Sequence, residues 1–203
     1  MARKDHTLDA RITDAARAEF LAHGFQKASL HKIAEKAGIT TGALYTRYKN
    51  KDALFCSLIR DAFAGISAAA GPMRQQYEQV QFSGDPAAIL DVIRQEERIY
   101  LDLLFEHYDE CILFFCCSDG SSVQTMIDTM MAEKAKQTVE FLQRIARTPL
   151  NPDGIELIMM EQFRYYRLIL ERGYDKDRAV ACMETVEAFL DAGWKALFEK
   201  ILK

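Results

Sequence analysis

Apolar residues recur at spacings of three and four along almost the whole chain, and no alternating apolar–polar run lasts more than a few residues. That is the period of an amphipathic helix, so the pattern predicts an all-α protein. A first helix is expected at about Leu8–His23, with Ile12, Ala16 and Phe20 on one face and Gly24 as its left-handed terminator. Ser29 is placed to cap a second helix bearing the stripe Leu30, Ile33, Ala34 and Ala37, which Gly38 ends. Thr40 is placed to cap a short third helix, about Thr41–Tyr48, burying Leu44 and Tyr48. Asn50 then opens a fourth, about Lys51–Ala70, with Leu54, Phe55, Leu58, Ile59 and Phe63 inward. The first three helices are too small to hold a core alone and are expected to dock on the fourth. Gly71-Pro72 and Ser83-Gly84-Asp85-Pro86 bracket a connection. Beyond it, helices are expected at about Ala87–Glu106, Asp109–Cys117, Ser122–Arg147, Asp153–Arg172 and Lys176–Leu202.

Within this series the segment Ser29–Lys51 stands out, because a tight Ala37-Gly38-Ile39 turn joins two short helices at helix-turn-helix spacing. The outer face of the third helix presents Thr41, Gly42, Tyr45, Thr46 and Lys49: hydroxyls, a ring and a cation, without a carboxylate. A DNA major groove accepts such a surface. Lys49 and Lys51 lie at the start of the fourth helix, where the helix dipole disfavours cations unless a phosphate docks on the free N–H groups there. A solvated lysine pair is the alternative.

Charge adds to this picture. The 203 residues carry a net charge of −4, yet residues 1–51 hold ten Lys/Arg against five Asp/Glu, leaving the remainder at −9. A basic head on an acidic body suits a head that meets a polyanion. With 49% hydrophobic residues the chain is globular, and its densest apolar stretches, Ala62–Met73 and Cys111–Cys117, are too short to span a membrane. No apolar run follows the charged N-terminus, so a cytoplasmic address is expected. The five cysteines form no CxxC pair, and no HExxH, GxSxG or glycine-rich phosphate loop occurs. An enzyme is therefore not expected, and no motif calls for a cofactor.

Residues 9–55 resemble the N-terminal DNA-binding domain of the TetR/AcrR family of bacterial transcriptional regulators. The run that carries the resemblance is Ile12, Phe20, His23-Gly24-Phe25, Ser29, Ile33 to Thr40, Gly42 to Tyr45 and Tyr48 to Leu54. The resemblance implies a helix-turn-helix domain over 1–51 and a helical effector-binding and dimerisation domain over 52–203. It implies that Thr40, Thr41, Gly42 and Ala43 approach base edges of double-stranded DNA, while Ser29, Tyr45, Arg47, Tyr48 and Lys51 hold phosphates. Thr41 stands where members often carry a base, and Ala43 where Ser or Thr is frequent, so part of the readout would be apolar contact with thymine methyls.

In the body, spacing alone leaves two roles open for the last two helices, core or interface. The resemblance favours a homodimer through Ile158, Gln162, Ile169, Met183, Val186, Phe189 and Leu190. Phe63, Tyr100, Leu104, His107, Cys111, Phe114, Met126 and Tyr165 are the candidate lining for a small, mostly apolar effector, although each alone would pass as core. Two sharper options are a metal held by His107, Glu110 and Cys111 at i, i+3, i+4, and a thiol switch at Cys116-Cys117. A DNA-binding protein without an effector is the remaining alternative.

Overall fold

The short-range signals form as their chemistry dictates. In the computed structural model, which describes residues 6–83 and 85–203, Ser29 Oγ accepts the Lys32 N–H at 3.4 Å and Thr40 Oγ1 accepts the Ala43 N–H at 3.1 Å. Asn50 Oδ1 accepts from Ala53 N at 2.7 Å. Among the described residues every element is a helix: α1 (His6–Lys27), α2 (Leu30–Lys36), α3 (Thr41–Arg47), α4 (Lys51–Ser83), α5 (Pro86–Glu106), α6 (Tyr108–Cys116), α7 (Ser122–Ile145), α8 (Pro152–Glu171) and α9 (Lys176–Ile201). None is long and apolar enough to cross a membrane.

Two boundaries differ from expectation. Gly24 does adopt positive φ (+67°), but α1 kinks there instead of stopping and runs one more turn to Lys27. The kink frees the Phe25 N–H to donate to Cys117 O at 2.8 Å, a partner far away in sequence. Gly71-Pro72 does not end α4, which continues to Ser83. A proline forfeits one hydrogen bond of a helix ladder, yet α4 runs on past it, and farther along Val80 packs against an apolar cluster.

The chain divides into two compact units. One comprises the chain up to Ala64 with Tyr108–Ile127. Its core joins Ile12, Ala16 and Phe20 of α1, Ile33 and Ala34 of α2, Leu44 of α3, and Leu54, Phe55, Leu58 and Ile59 of α4. Leu113 and Phe114 of α6 complete it, so the three small helices dock on α4 and on α6 as well. Phe20, Phe25 and Phe55 interlock, with Phe20 edge-on to Phe55 at 4.9 Å and Phe25 to Phe55 at 5.3 Å. Full burial of Phe20 and Phe55 stabilises the unit by about 1.5–3 kcal/mol each. Polar links add direction: Arg17 pairs with Glu110 at 2.6 Å, and Asp52 accepts the Ser122 N–H at 2.8 Å and its hydroxyl at 2.7 Å, capping α7.

The other unit, Gly65–His107 with Asp128–Lys203, contains two apolar clusters. Ile89, Leu90, Phe141, Leu142, Ile155, Met159, Trp194, Phe198 and Ile201 form the larger, drawn from α5, α7, α8 and α9. Leu101, Ile169, Ala179 and Met183 form the smaller.

Candidate nucleic-acid interface

The turn between α2 and α3 depends on Gly38, whose φ of +69° is a backbone region that side chains rarely adopt. Ile33, Ala34 and Ala37 bury one face of the pair and Leu44 the other, each 1% exposed or less. The rest of α3 therefore points outward. Tyr45 is 52% exposed, Gly42, Thr46, Arg47 and Lys49 are exposed, and Thr41 and Ala43 are half-buried. Thr46 Oγ1 donates back to Gly42 O at 3.0 Å, which holds its hydroxyl along the helix. Thr40 is exposed at the N-cap, and Tyr48 is half-buried against the core.

Two of the expected phosphate ligands have contacts within the fold. Arg47 Nη1 lies 2.6 Å from Asp9 Oδ1, so a phosphate would share or displace that carboxylate. Lys51 Nζ donates to Gln26 O at 3.0 Å and sits 5.0 Å above the Phe25 ring. There it neutralises the carbonyl end of α1, and partial burial lowers its pKa. An ammonium has three donors, so the contact to Gln26 leaves others for an anion. Ser29 is fixed from the other side, its N–H donating to Glu19 Oε1 at 3.1 Å. Glu19 is buried and also faces Lys36 at 3.8 Å and His23 at 3.9 Å. His23 lies one turn on in α1, but Ser29 and Lys36 lie ten and seventeen residues away beyond that helix, and helical spacing does not encode those two contacts.

The residues named as effector lining fall in both units. In the first, Phe63 and Phe114 meet with ring centroids 3.9 Å apart, Cys111 is buried, and Met126 is 41% exposed. Burial, with Glu110 close by, pushes the Cys111 thiol up to about 12, which keeps it protonated and unreactive. In the second, Leu104 is buried, Tyr165 packs on the smaller cluster, and Tyr100 donates its hydroxyl to Glu96 at 2.9 Å. His107 closes α5 with non-helical backbone, so it does not share a helix with Glu110 and Cys111 as the i, i+3, i+4 spacing suggested. Among the described residues, no three His, Cys, Asp or Glu side chains converge as metal ligands. Cys116 is half-buried and Cys117 buried.

The expected dimer residues also separate. Phe189 is 78% exposed and Ile158 is exposed, with Gln162, Val186 and Leu190 half-buried. Ile169 and Met183 instead point into the smaller core cluster, where they offer almost no area to a partner. Ile158, Phe189, Leu190, Trp194 and Leu197 line an apolar groove of about 550 Å³ between α8 and α9. Exposed Leu157 and Met160 lie close to it in sequence.

Residues 12–58 match the model for bacterial regulatory proteins of the tetR family. The chain is 30% identical over 104 residues to the HTH-type transcriptional regulator AcrR of Shigella flexneri, 46% of each protein. It is 33% identical over 69 residues to the HTH-type transcriptional repressor Rv1474c of Mycobacterium tuberculosis, 33% of this chain and 37% of that one. These matches thus span less than half the length of either relative. In fold, it resembles a TetR-like transcriptional regulator from Rhodococcus sp. RHA1, with a TM-score of 0.59 at 19% identity, covering 95% of this chain and 99% of that one.

Proposed function

We propose that the chain is a regulator of the TetR family, whose model its residues 12–58 match, and that it is a ligand-responsive transcriptional repressor acting in the cytoplasm. A homodimer occupies a palindromic operator through two copies of α3, and a small effector in the helical body releases it. The observation that carries this reading is the outer face of α3. Thr41, Gly42, Tyr45 and Thr46, with Lys49 two residues past the helix end, carry no carboxylate of their own above a buried Leu44, beside the N-terminus of α4. Thr40, Thr41, Gly42 and Ala43 read base edges, and Ser29, Tyr45, Arg47, Tyr48, Lys49 and Lys51 hold the backbone, Arg47 exchanging Asp9 for phosphate. The exposed Phe189 and the apolar groove beside it support a two-fold contact through α8 and α9. An effector shifts the DNA equilibrium only by its differential affinity for the bound and released states, and α4, which runs from Lys51 into the second unit, carries that difference.

Selecting duplexes from a random pool and sequencing them tests this reading. An inverted repeat with half-site centres about one helical turn apart or more is expected. Recovery of an unstructured or single-copy motif would refute the two-fold arrangement.

A further inference from the structure

Among the described residues the fold buries one charged side chain, Glu19 of α1, which is 1% exposed. A carboxylate withdrawn from water is costly unless donors meet it. The Ser29 N–H donates to its Oε1 at 3.1 Å, while Lys36 Nζ lies 3.8 Å from Oε2 and His23 Nε2 lies 3.9 Å from Oε1. Lys36 and His23 are about half-exposed, and ion pairs so open to water contribute little. The bond from Ser29 is the contact that fixes the carboxylate.

That bond completes a motif split between two helices. Ser29 caps α2, its hydroxyl accepting the Lys32 N–H at 3.4 Å. In a capping box the residue three places after the cap is Glu or Gln, whose side chain returns to the N–H of the cap. Here that place holds Lys32, exposed and without an acceptor. Glu19 reaches across from α1 to take the N–H instead. We propose that Glu19 is a positioning residue for DNA binding: it closes the capping box of α2 from inside the head and so holds Ser29 ready for the DNA backbone. The proposal rests on the reading of Ser29 as a backbone ligand and adds a residue that never touches the duplex.

The placement of the acid matters as much as its reach. A carboxylate at position 32 would stand on the surface beside the phosphate that Ser29 holds, and the two would repel. Buried at position 19, the same charge is met by Lys36 and also favours the charged form of Lys51, another of the backbone ligands. Charge and position thus predict opposite signs. By charge alone, removing an acid from a head that meets a polyanion strengthens binding; by position, removing Glu19 weakens it.

Fluorescence anisotropy of the full chain on a selected duplex, run beside a thermal melt, tests this with three substitutions. Glu19→Leu removes both acceptor and charge. Its melting temperature is expected to stay near the parent's, since an apolar side chain of similar size often replaces a buried charge without loss. Its affinity falls about tenfold. Glu19→Asp keeps the charge but is one methylene too short for Ser29, and its affinity falls several-fold. Glu19→Gln keeps the reach and an acceptor without the charge, and binds within about twofold of the parent. In a Ser29→Ala chain, Glu19→Leu costs less than about twofold, because its effect passes through Ser29. Parent-like or tighter binding by Glu19→Asp and Glu19→Leu, binding by Glu19→Gln as weak as by Glu19→Leu, or an undiminished loss in the Ser29→Ala chain would overturn the proposal. Glu19→Asp and Glu19→Gln carry the test even where Glu19→Leu does not fold. A parent chain that retains a selected duplex while these variants bind alike refutes the positioning role alone; one that retains no duplex refutes the regulator reading.

Discussion

At the scale of single residues, position on α3 decides between packing and recognition. Tyr45 is exposed, while Leu44 beside it is buried. Tyr45→Ala is accordingly expected to leave the melting temperature unchanged, within about ±0.5 kcal/mol, and to weaken duplex binding by about tenfold. Fluorescence anisotropy alongside a thermal melt separates the two, and unaltered affinity would remove Tyr45 from the interface. Lys51 is different, because its contact with Gln26 O gives it a structural role as well. Lys51→Ala should lose both stability and affinity, and its binding should depend less steeply on salt. Glu97 sets a pH dependence of opposite sign to the usual acid. Burial, with Glu187, Glu96 and Asp191 close by, pushes its folded pKa up to about 7 from the ordinary 4.5, so stability is full below about 4.5 and falls as pH rises towards 7. Glu97→Gln removes this loss. It is expected to melt higher than the parent chain at pH 8, by about 1–2 kcal/mol after allowance for partial exposure, and equally at pH 4.5. Equal melting at pH 8 would show that the carboxyl is not penalised.

At the scale of elements, caps and turns were legible in the sequence because their causes are local. Ser29, Thr40 and Asn50 each accept an N–H three residues on, and Gly38 supplies positive φ, as their residue types and positions imply. Gly38→Ala is thus expected to cost about 1–2 kcal/mol through backbone strain, since its Cβ would meet Arg11 only at an ordinary 3.5 Å. Hydrogen exchange in α2 and α3 should quicken, and protection equal to the parent would show that the turn tolerates a side chain. What stayed hidden depends on distant partners. Arg47 meets Asp9 across 38 residues, Arg17 meets Glu110 across 93, and Asp52 caps Ser122 across 70. No periodicity encodes such pairs. The continuation of α4 through Gly71-Pro72 was illegible as well, because only the local breakers were visible.

At the scale of the whole molecule, helical spacing foretold the all-α fold but could not say which stripe meets core and which meets a partner. Ile169 and Met183 have the same spacing as Ile158 and Phe189, yet the first two are buried and the last two exposed. Phe189→Glu therefore carries the test of assembly. Sedimentation is expected to give monomers, with the helical content intact because the side chain contributes little to its own core, and a persisting dimer would place the contact elsewhere. The acidic centre around Glu97 was equally hidden, since it draws on α5, α7 and α9 at once. The central claim, that α3 enters the duplex, has a direct measurement: a photoreactive benzoylphenylalanine at position 45, with a second variant carrying it at position 157 as control. Irradiation with a selected duplex should crosslink position 45 to bases in the half-sites and leave position 157 unlinked. Crosslinks from position 157 alone, or equally from both, would contradict the account.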